Sequence, residues 1–377
     1  MLKLHFFIYF IKLQLINYFI IVIILKIKVC RSCKSPKLTK VYSLGKQTLT
    51  GIFPSIKKAK ITKGILSMVI CKKCKLLQLE HNFNADEMYG ENYGYMSSLN
   101  KSMVSHLKMK ALHLRNKYNL KYKDCILDIG SNDGTFLSFF NNKFLLFGCD
   151  PTIKKFSNLY RKDIKQHPVF FSSKYFKDKK FKLISSISMF YDLPDPLDFA
   201  QQIYSILHDK GIWHVELSYM PMMIKNTSYD TICHEHLEYY SLKSLKYLLS
   251  SANLKIINLS FNQINGGSIE LDIAKKNSSF KESKHLINWV LESERLNKYN
   301  EIEKQKKFFK ECKNHKILLK KLLVTLKKQN KKIIGYGAST KGNVLLQFCN
   351  IDAKIINYIA EVNKFKFNKF TPGTNIK

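Results

Sequence analysis

Three groups of residues in this 377-residue chain have the types and spacing for chemistry. The first is a pair of C-x-x-C turns, Cys30-Arg-Ser-Cys33 and Cys71-Lys-Lys-Cys74, separated by 37 residues. Each turn presents two thiolates to one ion, and four soft ligands satisfy tetrahedral zinc. A closed, structural zinc site on Cys30, Cys33, Cys71 and Cys74 is therefore expected. No thioredoxin-like βαβ pattern surrounds either pair, which argues against a redox role. The second group is the turn Asp128-Ile-Gly130-Ser-Asn132-Asp-Gly134, with Asp150 further on. The third is His234-Glu235-His236. Two imidazoles flanking a carboxylate offer a base near neutral pH and a partner to orient or charge it. The H-E-x-x-H pattern of zinc peptidases is absent, because these histidines are two residues apart and not one helical turn apart.

The elements that must position these groups are those of a doubly wound α/β sheet. Cys125–Ile129 is a short apolar run, as in a buried parallel strand, and it enters the glycine-rich turn before a helical segment. A second apolar run, 144–149, ends at Asp150, and an acid at that place commonly holds ribose hydroxyls. The D-x-G-x-x-x-G turn suits S-adenosylmethionine, which has no pyrophosphate to cradle. Asp128, Gly130, Asn132, Gly134 and Asp150 are the expected cofactor residues. Residues 182–190 and 211–217 read as the fourth and fifth strands. Ligands bind outside the carboxyl ends of such strands, so Phe190, Tyr191, Glu216 and Tyr219 are expected to rim the site. Residues 281–330 read as long amphipathic helices. Lys332–Gly337 reads as a strand and glycine-rich turn, with Lys341 placed to face a phosphate.

Composition sets the wider limits. With 45% hydrophobic residues a large core can form, and the length suits two or three domains. Lys and Arg number 63 against 28 acidic residues, a net charge of +35, yet only four of the 63 are arginine. Readers of bases and phosphates are usually richer in arginine, so the charge reads as A/T-rich codon usage and no nucleic-acid partner is expected. An RNA-binding zinc protein or RNA methyltransferase is the competing reading that the zinc turns keep open. So is an O- or N-methyltransferase acting on another small molecule. Nine cysteines, five of them scattered, read as a metal site plus free thiols in a reducing compartment. Residues 5–25 hold 17 apolar residues in 21, about 31 Å as a helix, with Lys26, Lys28, Arg31 and Lys34 following. They read either as a membrane anchor that leaves the rest in the cytoplasm, or as sequence ahead of a true start near Lys26.

Several stretches resemble the S-adenosylmethionine-dependent sugar C-methyltransferases of deoxysugar pathways. They are the cysteine pairs, Glu91-Asn-Tyr93-Gly-Tyr95-Met-Ser-Ser98, L-D-I-G-S-N-D-G at 127–134, D-T-I-C-H-E-H at 230–236, Asn265-Gly-Gly-Ser268, Gly335–Asn343 and Thr371-Pro-Gly-Thr374. The resemblance implies a zinc-binding lobe at 29–85, a class I methyltransferase domain at 86–278 and a helical hairpin plus truncated Rossmann-like lobe at 279–377. Residues 1–28 are an extension. It implies a nucleoside-diphosphate 4-keto-6-deoxysugar substrate methylated at C3, and a monomer or weak dimer. His236 matches the base, Glu235 its acidic neighbour, and Tyr93 or Tyr95 a tyrosine near the ligands. A tyrosine hydroxyl, Asn265 or His234 is left to stabilise the enolate oxygen. Three departures stand out: Cys233 where a tyrosine is frequent, Tyr191 where some members carry histidine, and an end at Lys377 before the family's last elements.

Overall fold

Alternating apolar runs and amphipathic helices build a central seven-stranded sheet in the computed structural model, which describes residues 25–89 and 94–377. The strands of that sheet are β1 (Cys125–Ile129), β2 (Leu145–Cys149), β3 (Lys165–His167), β4 (Phe181–Ile187), β5 (Leu207–Ser218), β6 (Leu254–Asn262) and β7 (Ser268–Lys275). Their order is β6-β7-β5-β4-β1-β2-β3. Every pairing from β5 to β3 is parallel, and β7 runs antiparallel between β5 and β6. This is the class I methyltransferase arrangement expected from the strand pattern. Covered on both faces, β1, β4 and the second half of β5 are mostly buried, with Asp128, Ser185, His214 and Glu216 as buried polar residues among the apolar ones. Their carboxyl ends, at Gly130, Ser188 and Tyr219, open onto one edge.

A second sheet is antiparallel and joins distant parts of the chain. Strands Leu38–Thr48, Lys63–Cys71 and Leu77–Leu79 pair in sequence, and the two-residue strand Glu238–Tyr239 adds to Leu77–Leu79. The segment after His236 is thereby stitched onto the cysteine-bearing lobe. Its core continues into the last hundred residues: Tyr42, Leu66, Met68 and Leu79 share one buried cluster with Phe308, Cys312, Val344, Phe348 and Ile376. The helix Lys284–Leu296 lies beyond residue 278 yet buries Ile287 and Val290 in the core of the central sheet. Only Ile302–Lys328, the parallel pair Ile334–Tyr336 with Tyr358–Ala360, and the helix Thr340–Cys349 form the C-terminal lobe.

The four Sγ atoms of Cys30, Cys33, Cys71 and Cys74 lie within 4.8 Å of one another, and no disulfide joins them. Cys30 pairs with Cys74 and Cys33 with Cys71 at 3.5 Å, the spacing of ligands around one tetrahedral ion. Of the apolar stretch 5–25 only Leu25 is described, and Tyr93 also lies outside the described residues. Among the described residues no helix is long and apolar enough to cross a membrane. Purified protein should carry about one zinc per chain, and Cys71→Ser should lose it together with several kcal/mol of stability. Metal analysis with thermal denaturation checks both. Full zinc content in the variant would remove Cys71 from the ligand set.

Candidate active site

The glycine-rich turn is shaped by positive φ angles at Gly130 (+78°), Asn132 (+50°) and Gly134 (+76°). A Cβ on Gly134 would meet the Tyr160 ring at 2.8 Å, and one on Gly130 would meet Met189 at 2.9 Å. Only glycine fits both the dihedral angles and the space. Asp150, at the end of β2, accepts hydrogen bonds from the Asn132 amide (2.9 Å) and from the Thr152 amide and hydroxyl (2.7 and 2.6 Å). Burial raises its carboxyl, and these bonds oppose the rise. Asp150 therefore fixes the turn and leaves one acceptor site of its carboxylate unused by these bonds. Asp128 differs from expectation. It sits inside the sheet, almost closed to solvent, and accepts from Ser185 Oγ at 2.6 Å; burial pushes its carboxyl up to about 7. It braces β1 against β4 and does not open onto the edge. The Asn132 side chain is also occupied: its Oδ1 accepts from the Ser97 amide at 3.0 Å and its Nδ2 donates to the Tyr95 carbonyl at 3.2 Å. With Ser98 N donating to Asp133 Oδ2 at 2.9 Å, the Tyr95–Ser98 segment is clamped over the turn. Tyr95, about half exposed, stands at its mouth.

The three residues of His234-Glu235-His236 part company because the chain bends at His234 and Glu235. His236 ends beside Tyr191, their rings 4.4 Å apart, and the Leu237 amide donates to the Tyr191 carbonyl at 2.7 Å. His236 Nδ1 lies 2.8 Å from the Thr231 carbonyl. A carbonyl only accepts, so Nδ1 carries the proton and Nε2 keeps its lone pair. Burial, with the charge of Lys341 behind it, lowers its pKa to about 3, so the imidazole is neutral at pH 7. His234 is fully buried in the cysteine-bearing lobe, edge-on to Phe83 at 4.8 Å and 3.5 Å from the Gly64 carbonyl. Burial lowers it to about 4. It is a packing residue, and the catalytic role expected of it is withdrawn. Glu235 turns toward the Thr48–Gly51 hairpin end, where Thr50 Oγ1 donates at 3.4 Å; burial raises its carboxyl. It does not reach His236 through any described hydrogen bond.

The expected rim also divides. Tyr191 reaches His236. Phe190 is spent on the core, packed on Tyr240, Trp213 and Phe199 with ring centroids 5.2–5.7 Å apart. The Tyr219 hydroxyl donates to the buried carboxylate of Glu294, which also takes the Leu242 amide at 2.6 Å and the Lys243 amide at 3.1 Å. Tyr219 thus locks the helix Leu242–Ser251 and is not free for a substrate. Asn265 adopts φ +56° and donates through Nδ2 to Ser188 Oγ at 3.1 Å; Ser188 itself sits at φ +57°. Lys341 Nζ donates to the Asn265 carbonyl at 2.8 Å, which brings the C-terminal lobe onto the rim of β4. One group was not anticipated beyond Glu216. His106 and Lys110, four apart on the helix Lys101–Lys117, hold the buried Glu216 of β5 at 2.8 and 2.7 Å, and Lys110 bridges to Glu270 at 2.8 Å. Burial would raise Glu216, but the His106 hydrogen bond and the Lys110 charge pull it down to about 2. A histidine and a lysine one turn apart just before the first strand were the available signal.

Three family models match the chain. Residues 30–89 match the "Putative zinc binding domain" family, 103–259 a methyltransferase domain, and 263–377 the C-methyltransferase C-terminal domain. The chain is 25% identical over 355 residues to the C-methyltransferase NovU of Streptomyces niveus, covering 92% of this chain and 84% of that one. Among solved structures it is similar to an S-adenosylmethionine-dependent methyltransferase of Clostridium acetobutylicum (13% identity, TM-score 0.39, 46% of this chain and 92% of that one). It is also similar to the plantazolicin methyltransferase BpumL (14% identity, TM-score 0.36, 46% and 84%).

Two outcomes follow from this site. Asp150→Ala should weaken S-adenosylmethionine binding by about 1.5–3 kcal/mol, the scale of hydrogen bonds to a charged group. Calorimetry reads it, and an unchanged affinity would remove Asp150 from the site. The second outcome concerns pH. His234 titrates near 4 when folded and near the ordinary 6.5 when unfolded, so its contribution is present above pH 6.5 and is lost as pH falls toward 4. Asp128 and Glu235, raised by burial, act in the opposite direction in the same window. Denaturant unfolding of wild type and His234→Gln at several pH values cancels them. The variant should lose less stability between pH 7 and 5 than wild type does, and parallel curves would contradict the assignment.

Proposed function

Because the chain belongs to the S-adenosylmethionine-dependent C-methyltransferase family, we propose that it methylates C3 of a nucleoside-diphosphate 4-keto-deoxysugar through an enolate. The observation that carries this reading is the neutral His236. Its tautomer is set by the Thr231 carbonyl, which leaves Nε2 its lone pair, and its ring packs on Tyr191, which follows β4. Carbon methylation needs a carbanion equivalent, and a ketone at C4 acidifies the neighbouring C–H bond. His236 Nε2 takes that proton, and the electron pair moves onto the ketone oxygen. A positioned base contributes about 10²–10⁴ in rate. The Gly130–Gly134 turn and Asp150 would hold the cofactor, which when bound supplies an electrophilic methyl group. The Tyr95–Ser98 segment covers that turn and helps exclude water from the carbanion. Tyr191 packs on the base and holds its ring in place.

The test uses proton exchange. Wild-type protein, given S-adenosylhomocysteine and thymidine-diphosphate 4-keto-6-deoxyglucose in deuterated water, should exchange the C3 proton, read by NMR. His236→Asn should bind the cofactor product normally and lose exchange and turnover by about 10²-fold or more. Exchange confined to C5, the other carbon next to the ketone, would move the methylated position. Exchange at the wild-type rate in the variant would assign the base to another residue.

A further inference from the structure

The ammonium of Lys341 is a half-buried cation without a counter-ion among the described residues. Lys341 is the second residue of the helix Thr340–Cys349, so its charge adds to the partial positive charge of the helix start. Its Nζ makes one hydrogen bond, to the Asn265 carbonyl at 2.8 Å. An ammonium has three donors, which leaves two N–H bonds. Asp230 is near enough to act on its charge but does not come within ion-pair distance, and burial lowers its pKa. A half-buried ammonium satisfied by one neutral acceptor is costly unless an anion arrives. The place where that anion would form is fixed by the tether. The Asn265 that receives Lys341 also donates to Ser188, the residue that follows β4, and the Ser188 amide donates to the Glu216 carbonyl at 2.8 Å. The ammonium is therefore pinned to the edge of β4 and β5, on the same rim as His236. The strained pair Asn265 and Ser188, both at φ near +57°, holds it there.

We propose that Lys341 donates a hydrogen bond to the ketone oxygen as it becomes the enolate, so that the C-terminal lobe supplies half of the deprotonation machinery. The inference rests on the enolate reading above. The step balances without any further reactant. The C–H bond next to the ketone breaks, its proton goes to His236 Nε2, and the electron pair ends on the oxygen facing Nζ. Lys341 keeps its own protons throughout. Of the other donors, His234 is fully buried in the cysteine-bearing lobe, the Tyr219 hydroxyl is held by Glu294, and one N–H of the Asn265 amide is held by Ser188. The free cation also couples to the base. With the site empty, burial keeps His236 neutral and the charge of Lys341 adds to that. An oxyanion against Nζ cancels that charge at the moment the imidazole must accept its proton, which raises its basicity. A role in cradling the diphosphate, expected from the glycine-rich turn alone, would put the charge several bonds away from the reacting carbon.

The experiment separates these roles. Lys341→Gln and Lys341→Arg are compared with wild type in the deuterium-exchange assay with S-adenosylhomocysteine and thymidine-diphosphate 4-keto-6-deoxyglucose. Binding of S-adenosylhomocysteine and of thymidine diphosphate is measured for each. Lys341→Gln should lose exchange by about 10²–10³-fold, the effect of deleting one oxyanion donor. Its binding of both ligands should stay within about threefold, and Lys341→Arg should recover part of the exchange. Exchange at the wild-type rate in Lys341→Gln would overturn the proposal. So would a loss confined to thymidine diphosphate affinity, which would assign Lys341 to the phosphates. If Lys341→Gln fails to bind S-adenosylhomocysteine, Lys341→Arg decides: intact binding with no gain in exchange over the His236→Asn variant overturns the proposal as well. Absence of exchange in wild type would instead defeat the enolate reading itself.

Discussion

The buried pairing of Arg31 with Glu238 links the metal turn to the base. Arg31 stands between the two cysteines of the first knuckle, and both side chains are closed to solvent, with Nε 3.6 Å from Glu238 Oε1. The guanidinium also donates to the Leu79 carbonyl at 2.6 Å, the His81 carbonyl at 3.0 Å and Asn82 Oδ1 at 2.6 Å. Burying two charges is expensive, and such pairs contribute more to register than to net stability. Here the register is that of Glu238–Tyr239 against Gln78 and Leu77. His236 lies two residues before Glu238. A slip of one residue would turn His236 away from Tyr191, so the cysteine-bearing lobe sets the position of the proposed base.

The second constraint comes from the hairpin end Thr48–Gly51. The Gln347 side-chain amide accepts from Thr48 N at 2.8 Å and donates to Thr48 O at 3.1 Å, and Asn343 Nδ2 donates to Thr50 O at 2.7 Å. These bonds dock the helix that carries Lys341 onto the cysteine-bearing lobe. On its other side the same turn receives Glu235. A Cβ on Gly51 would come within 2.5 Å of Glu235 Oε1, so glycine leaves room for the carboxylate. One short turn thus relates the H-E-H segment to the C-terminal lobe, and the shared core of Tyr42, Phe308 and Phe348 makes the relation rigid.

What the sequence made legible was local chemistry. The four cysteines, the two glycines of the turn, Asp150 and the apolar strands could be read because each depends on neighbours within a few residues. What stayed hidden depended on contacts across the chain. Nothing near Tyr219 announces that Glu294, 75 residues later, takes its hydroxyl. Phe190 follows a strand that opens on the site, yet Trp213 and Tyr240 draw its ring into the core. His234 and His236 looked equivalent because a bend at His234 and Glu235 has no clear sequence mark. The division at 278 and 279 came from the resemblance to a family, whereas the helix Lys284–Leu296 packs by its buried face on the core of the central sheet.

Charge shows the same contrast between count and placement. A net +35 suggests a molecule that attracts any polyanion, but around the site the charges are matched. Lys110 and His106 answer Glu216 and Glu270, and Lys117 with His214 answers Asp272, whose carboxyl is held far below its usual range despite burial. Against that balanced background a single unmatched ammonium carries weight, because field strength in a low-dielectric cleft depends on the nearest uncompensated charge and not on the total. The surface lysines are screened by salt over about 8–10 Å. Lys341 is not, and in the proposed reaction it faces the oxygen that takes the carbanion's electrons. In that reading the three lobes divide the work by charge: the cysteine-bearing lobe fixes the neutral His236, the central sheet carries the glycine-rich turn, and the C-terminal lobe brings the cation.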